Sequence, residues 1–146
     1  VSNTPETPLH VRDVDRRAQI PYIHGCDMAL EDGTRQGFCS FADVEVGKRL
    51  VVEFISGEIR YPVGHTGQVR VTIGRPNGFF TSHYLVQALE RANVDGTDRY
   101  VISQPLRVYI GPEGNPGVVI SRAPDDTGTV DGHFWVTGYL EDVDEE

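Results

Sequence analysis

From Pro21 onward, short runs of β-branched and aromatic residues alternate with clusters of Gly, Pro, Asn and Asp. This is the spacing of an all-β sandwich or barrel. Val69, Val71 and Ile73 alternate with Arg70 and Thr72, and Leu106, Val108 and Ile110 alternate with Arg107 and Tyr109. Each pattern marks a half-buried antiparallel strand. Near the C-terminal end, Phe134, Val136 and Leu140 share one face while His133, Trp135, Thr137 and Tyr139 share the other, so both faces are partly apolar. Such a strand lies centrally, or shows its aromatics to a ligand or a partner subunit. Leu50, Val52 and Phe54 opposed by Val51 and Ile55 give a second strand of this kind.

The pattern predicts seven or eight strands, at 22–29, 37–41, 49–61, 68–74, 79–89, 99–110, 118–122 and 133–140, separated by turn sequences such as Glu31-Asp32-Gly33, Val46-Gly47-Lys48 and Asp95-Gly96. Tyr84, Leu85, Ala88 and Leu89 also recur at helical spacing. A strand is preferred there, because the segment leads through Asp95-Gly96 into a long strand as a simple hairpin. The expected fold is therefore all-β: a two-sheet antiparallel sandwich, jelly-roll-like. Residues 1–20 are polar and punctuated by proline and read as an extended N-terminal arm able to wrap a neighbour. Residues 21–141 read as one sandwich domain and 142–146 as a solvated acidic tail.

The 146 residues carry 13 Lys and Arg against 22 Asp and Glu, a net charge of −9. A phosphate-binding surface is disfavoured at that balance, because nucleic-acid affinity rests on cations that displace counterions. Anionic membranes are disfavoured for the same reason. The longest apolar runs, such as Leu50-Val51-Val52, fall far short of the roughly 20 residues that span a bilayer. The first residues have neither a basic nor an apolar leader region, so any export signal is expected to be already removed. Cys26 and Cys39, the two cysteines, flank a turn-rich segment and are expected to form a disulfide between facing strands of one hairpin, which points to a secreted or periplasmic location. Two reduced, buried thiols are the alternative. A metal set drawn from His24, Cys26 and Cys39 is a third reading, without a CxxC or HxxxH pair to complete it.

In Val46-Gly47-Lys48-Arg49-Leu50-Val51-Val52-Glu53, Val108-Tyr109-Ile110-Gly111 and Val136-Thr137-Gly138-Tyr139-Leu140 the chain resembles small exported bacterial single-domain β-sandwich proteins of uncharacterised function. The resemblance implies fold and export only, and it brings no activity with it.

Neither a Gly-x-Ser-x-Gly elbow, a phosphate-binding Gly-rich loop, His-Glu-x-x-His nor an EF-hand loop occurs. Three weaker constellations are present. His83, His133 and Glu53 would build a cupin-like metal site if their strands were neighbours. Glu53, Glu58 and Glu90 offer carboxylates for glycoside hydrolysis. Asp125, Asp126 and Asp131 lie on a Gly-containing loop suited to calcium, or to an ordinary turn.

The aromatics Tyr61, Tyr84, Tyr109, Trp135 and Tyr139 are a better lead, since rings with a polar handle stack on sugars and are favoured at interfaces. They serve equally to complete the core. Trp135, Tyr139, His133, Tyr109 and Arg107 form the candidate ligand set, with Arg70 and Arg107 placed to hold an acidic group or to make cross-strand ion pairs. The expected function is a non-catalytic exported module that needs no cofactor, calcium aside. It binds a glycan or a protein partner and forms a homo-oligomer. The alternatives are a cupin-like or carboxylate enzyme, and a structural subunit of a surface assembly.

Overall fold

The structure is a computed structural model that describes residues 19–75, 78 and 80–143. The described residues form nine strands: β1 (Gln19–Leu30), β2 (Gln36–Ser40), β3 (Lys48–Pro62), β4 (Thr66–Gly74), β5 (Phe80–Leu85), β6 (Ala88–Val94), β7 (Thr97–Ile110), β8 (Asn115–Ala123) and β9 (Val130–Asp142). They form a five-stranded sheet in the order β1-β9-β3-β7-β6 and a four-stranded sheet in the order β2-β8-β4-β5. All pairings are antiparallel. The pairs β1·β9, β2·β8, β3·β7 and β4·β5 nest one inside the next, as in a single long hairpin rolled up on itself. This nesting is a jelly roll.

The predicted strand at 79–89 is two strands. The chain leaves the small sheet after Leu85 and joins the large one at Ala88, where β6 runs through Asp95 (φ 52°) and Gly96 (φ 82°) into β7. Positive φ at both central residues is the type I′ geometry that suits a two-residue hairpin. The Gln87 side chain holds the crossover: its Nε2 donates to the Gly67 carbonyl at 2.5 Å, and its Oε1 accepts from the Tyr61 hydroxyl at 3.1 Å.

The core lies between the sheets and takes Val69, Val71, Ile73, Val108, Ile110, Phe134 and Val136 where alternation places them. One face assignment changes. Between Val52 and Phe54 the register shifts against both neighbours, with one residue more in β3 than in β9 and one fewer than in β7, so Ile55 joins Leu50 and Val52 in the core while Phe54 turns to the outer face beside Thr137 and Pro105. A bulge of this kind reverses side-chain parity along the rest of the strand.

Cys26 and Cys39 form a disulfide with Cα atoms 5.8 Å apart. Their strands are not partners in one hairpin, because β1 and β2 are edge strands of different sheets. The bridge therefore ties the two sheets together on the side opposite the β5–β6 crossover. It also removes both sulfurs from the proposed set with His24. The expected arm at 1–20 lies outside the described residues except for Gln19 and Ile20, which belong to β1. The tail residues 144–146 lie outside them as well.

Candidate functional site

The outer face of the five-stranded sheet brings Trp135, Tyr139, His133, Tyr109 and Arg107 onto one surface. Trp135, Tyr139 and His133 project from β9; Tyr109 and Arg107 project from β7, with β3 between. Cross-strand register arranges this face in rows. Gly25, Trp135, Ser56 and Ser103 form one row; Ile23, Thr137, Phe54 and Pro105 form the next; Tyr139, Val51 and Tyr109 form a third. Val51 is fully buried on this outer face, between two tyrosines. Trp135 is 55% exposed, Ile23 63% and Tyr109 51%, although all three sit on well-paired strands.

Charge fills both ends of the same face. On one side of the apolar rows His133 Nδ1 donates to Asp27 Oδ1 at 2.8 Å, and Glu58 receives Arg99 at 2.6 Å and Arg60 at 3.1 Å. Arg99 also lies 3.2 Å from Glu90. On the other side Arg49 pairs with Glu141 and sits 5.2 Å from the centroid of the Tyr109 ring. Arg107 faces Glu53 at 4.0 Å, a loose exposed contact. Exposed pairs of this kind contribute at most about 1 kcal/mol each. Their effect is to border the apolar rows with charge.

The three chemical constellations do not assemble. His83 lies on β5 of the four-stranded sheet, whereas His133 and Glu53 lie on the outer face of the other sheet, so the cupin-like set is split across the sandwich. Glu58 and Glu90 are both engaged by Arg99, while Glu53 stands apart from them and faces Arg107. Asp131 stands on β9 opposite Arg60, away from the loop that carries Asp125 and Asp126. Asp125 accepts from the Thr127 hydroxyl at 2.6 Å and its backbone N–H at 3.0 Å, and these two bonds, led by the hydroxyl, hold its carboxyl below the usual range. It closes its own turn. Among the described residues no group of three His, Cys, Asp or Glu side chains is placed to hold a metal ion.

Tyr61, one of the expected aromatics, belongs to the core: it is fully buried, edge-on to Tyr100, and burial pushes its hydroxyl up to about 12. Tyr84 lies on the other sheet. Sequence reasoning missed Gly25 and Ile23. Their signal was the alternation of Ile23 and Gly25 with Tyr22 and Cys26 along β1, but only the register with β9 sets them beside Trp135 and Thr137.

Comparison with known proteins finds no matching family model and no matching curated protein. Among solved structures, a chain of the acidic stable capsid of Helicobacter pylori bacteriophage KHP30 is similar at 15% identity and TM-score 0.44, over 89% of this chain and 98% of that one. A chain of the cyanophage Pam1 capsid asymmetric unit is similar at 13% identity and TM-score 0.44, over 93% and 99%.

Proposed function

We propose that this chain is a non-catalytic structural subunit that associates with protein partners, further copies of itself foremost, through the outer face of its five-stranded sheet. The observation that carries this reading is the set of apolar rows around Trp135. A sandwich needs only one apolar face per sheet, and this sheet has a second, with Ile23, Trp135 and Tyr109 more than half exposed between charged borders. Exposed apolar area rimmed by polar residues marks association surfaces, and Trp and Tyr are the side chains most enriched at their centres.

The rows extend across four strands, about 14 Å at ordinary strand spacing, and about 14 Å along β9. That is less than the roughly 800 Å² per partner of a standard interface. The patch therefore anchors a contact that other surfaces of the subunit extend, as in a closed ring or a larger shell. The Cys26–Cys39 bridge supports a working place in an oxidising compartment, secreted or periplasmic.

Light scattering across a dilution series, with iodide quenching of Trp135 on the same samples, tests the proposal. The expected result is a mass above the monomer with a protected indole, both lost on dilution or in Ile23→Glu. A constant monomer mass with a freely quenched indole at every concentration would sink it.

A further inference from the structure

The four strands of the smaller sheet, β2, β4, β5 and β8, contain no Asp or Glu at all, in a chain with 22 of them. On its outer face the register sets Phe38, Val119, Arg70 and Tyr84 side by side across β2, β8, β4 and β5. Phe38 is 59% and Tyr84 63% exposed. Arg70 makes no ion pair among the described residues, and its Nε is sealed from solvent with no acceptor. Of the other arginines, Arg49, Arg60, Arg99 and Arg107 face carboxylates, and Arg122 is turned inward and saturated by carbonyls, although Arg99 Nε shares with Arg70 Nε the lack of a hydrogen-bond acceptor.

We infer that this face binds an acidic saccharide, with the carboxylate of a uronic-acid-type sugar on Arg70 and sugar rings against Phe38 and Tyr84. A planar guanidinium matches one carboxylate bidentately. A phosphate-rich ligand would need further cations, and the outer face of these strands has no other Lys or Arg. Neutral hydroxyl and amide side chains, Gln68, Thr72, Ser82 and Ser121 among them, occupy the neighbouring outward positions and suit sugar hydroxyls. Exposed aromatic rings stack on the C–H faces of sugars, and the Tyr84 hydroxyl adds a polar edge. The depression beside Phe38, floored by Arg70, Thr72 and Val119, measures about 350 Å³, room for one or two sugar rings. An acidic peptide would share the carboxylate chemistry but would make little use of two rings set three strands apart. This site is on the opposite sheet from the association surface and does not depend on it.

The test is an amide chemical-shift titration of the full chain with trigalacturonate, alongside a neutral maltotriose control and triglutamate. Shifts gathered on Phe38, Arg70, Tyr84 and Val119 are expected for trigalacturonate alone. Affinity should fall about tenfold or more in Arg70→Gln, fall less in Arg70→Lys, and fall also in Phe38→Ala, each variant retaining a native spectrum. Ile23→Glu, which tests the association surface, should leave this binding unchanged. No shift at about 10 mM sugar, equal response to maltotriose, tighter binding of triglutamate that ignores Phe38→Ala, or binding that survives Arg70→Gln would each overturn the inference.

Discussion

The indole of Trp135 lies over Gly25 so closely that a Cβ at Gly25 would come within 3.1 Å of three of its ring atoms. The two residues face each other across the β1·β9 pair. A side chain at position 25 would lift the ring; its absence lets the ring rest on the backbone of the edge strand and present its other face to solvent. The exposed aromatic is thus held in one orientation rather than left to sample several, which reduces the ordering cost of any contact made on it.

Gly25→Ala should displace that ring. Iodide quenching of Trp135 is expected to rise and self-association to weaken, while urea unfolding changes by no more than about 1 kcal/mol, because the position is exposed and no core contact is lost. Unchanged quenching and unchanged mass would show that the Gly25 contact does not orient the indole.

Arg122 is 3% exposed and makes no direct ion pair with a carboxylate among the described residues. Its five N–H groups instead meet five carbonyls: Nε donates to Thr34, Nη1 to Thr127 and Gly128, and Nη2 to Glu31 and Asp126. The side chain clamps the β1–β2 and β8–β9 loops at once with every donor used. Arg122→Met should cost on the order of 3 kcal/mol through carbonyls left without donors, and Arg122→Lys should recover only part, since three donors cannot replace a five-donor fork. Urea midpoints measure both.

The Cys26–Cys39 bridge spans a sequence separation of 13 and joins edge strands of the two sheets. Reduction, or the double Cys→Ala variant, is expected to lower stability by about 3 kcal/mol on the chain-entropy account of a loop that length. Because the loss acts on the unfolded chain, the folded far-ultraviolet spectrum should remain that of a β protein. A shift in the thermal midpoint of less than a few degrees would argue against that role.

Stability should fall at both extremes of pH. Asp98 accepts backbone N–H bonds from Gly64 and Asn93, both at 2.9 Å, which hold its carboxyl below the usual 3.8. The native state therefore binds this proton less readily than the unfolded chain; the stabilisation is present above about pH 4 and lost as pH falls through the depressed value. Asp98→Asn should flatten the acid limb of stability against pH.

Burial drives Tyr61, and likewise Tyr22, from 10.0 to about 12. Here the native state keeps the proton, so the contribution is whole below pH 10 and lost as pH rises towards 12. Ultraviolet titration should show two of the six tyrosines ionising late, with unfolding. Tyr61→Phe should soften the alkaline limb.

Much of the architecture was legible in local alternation. The inward sets of β4, β7 and β9 followed directly from period-two patterns, because a half-buried strand forces apolar residues to one side. Phe54 escaped that logic, since one extra residue in β3 against β9 reverses the parity and nothing in Glu53-Phe54-Ile55 announces it. The 79–89 segment escaped it too: Tyr84, Leu85 and Leu89 look continuous, and only the need to close both sheets splits them between β5 and β6.

By itself the sequence determined the all-β class, the two-sheet sandwich and the faces of its regular strands, all of which rest on short-range periodicity and composition. Tertiary structure alone decided which strands are neighbours, and with them every site. It separated His83 from His133, set Gly25 under Trp135, gathered five backbone carbonyls around Arg122 and left Arg70 the single outward cation on a sheet without acids. Those relations join residues as many as 110 positions apart, from Gly25 to Trp135. Register between distant strands is fixed by the closure of the whole roll, and no local pattern encodes it.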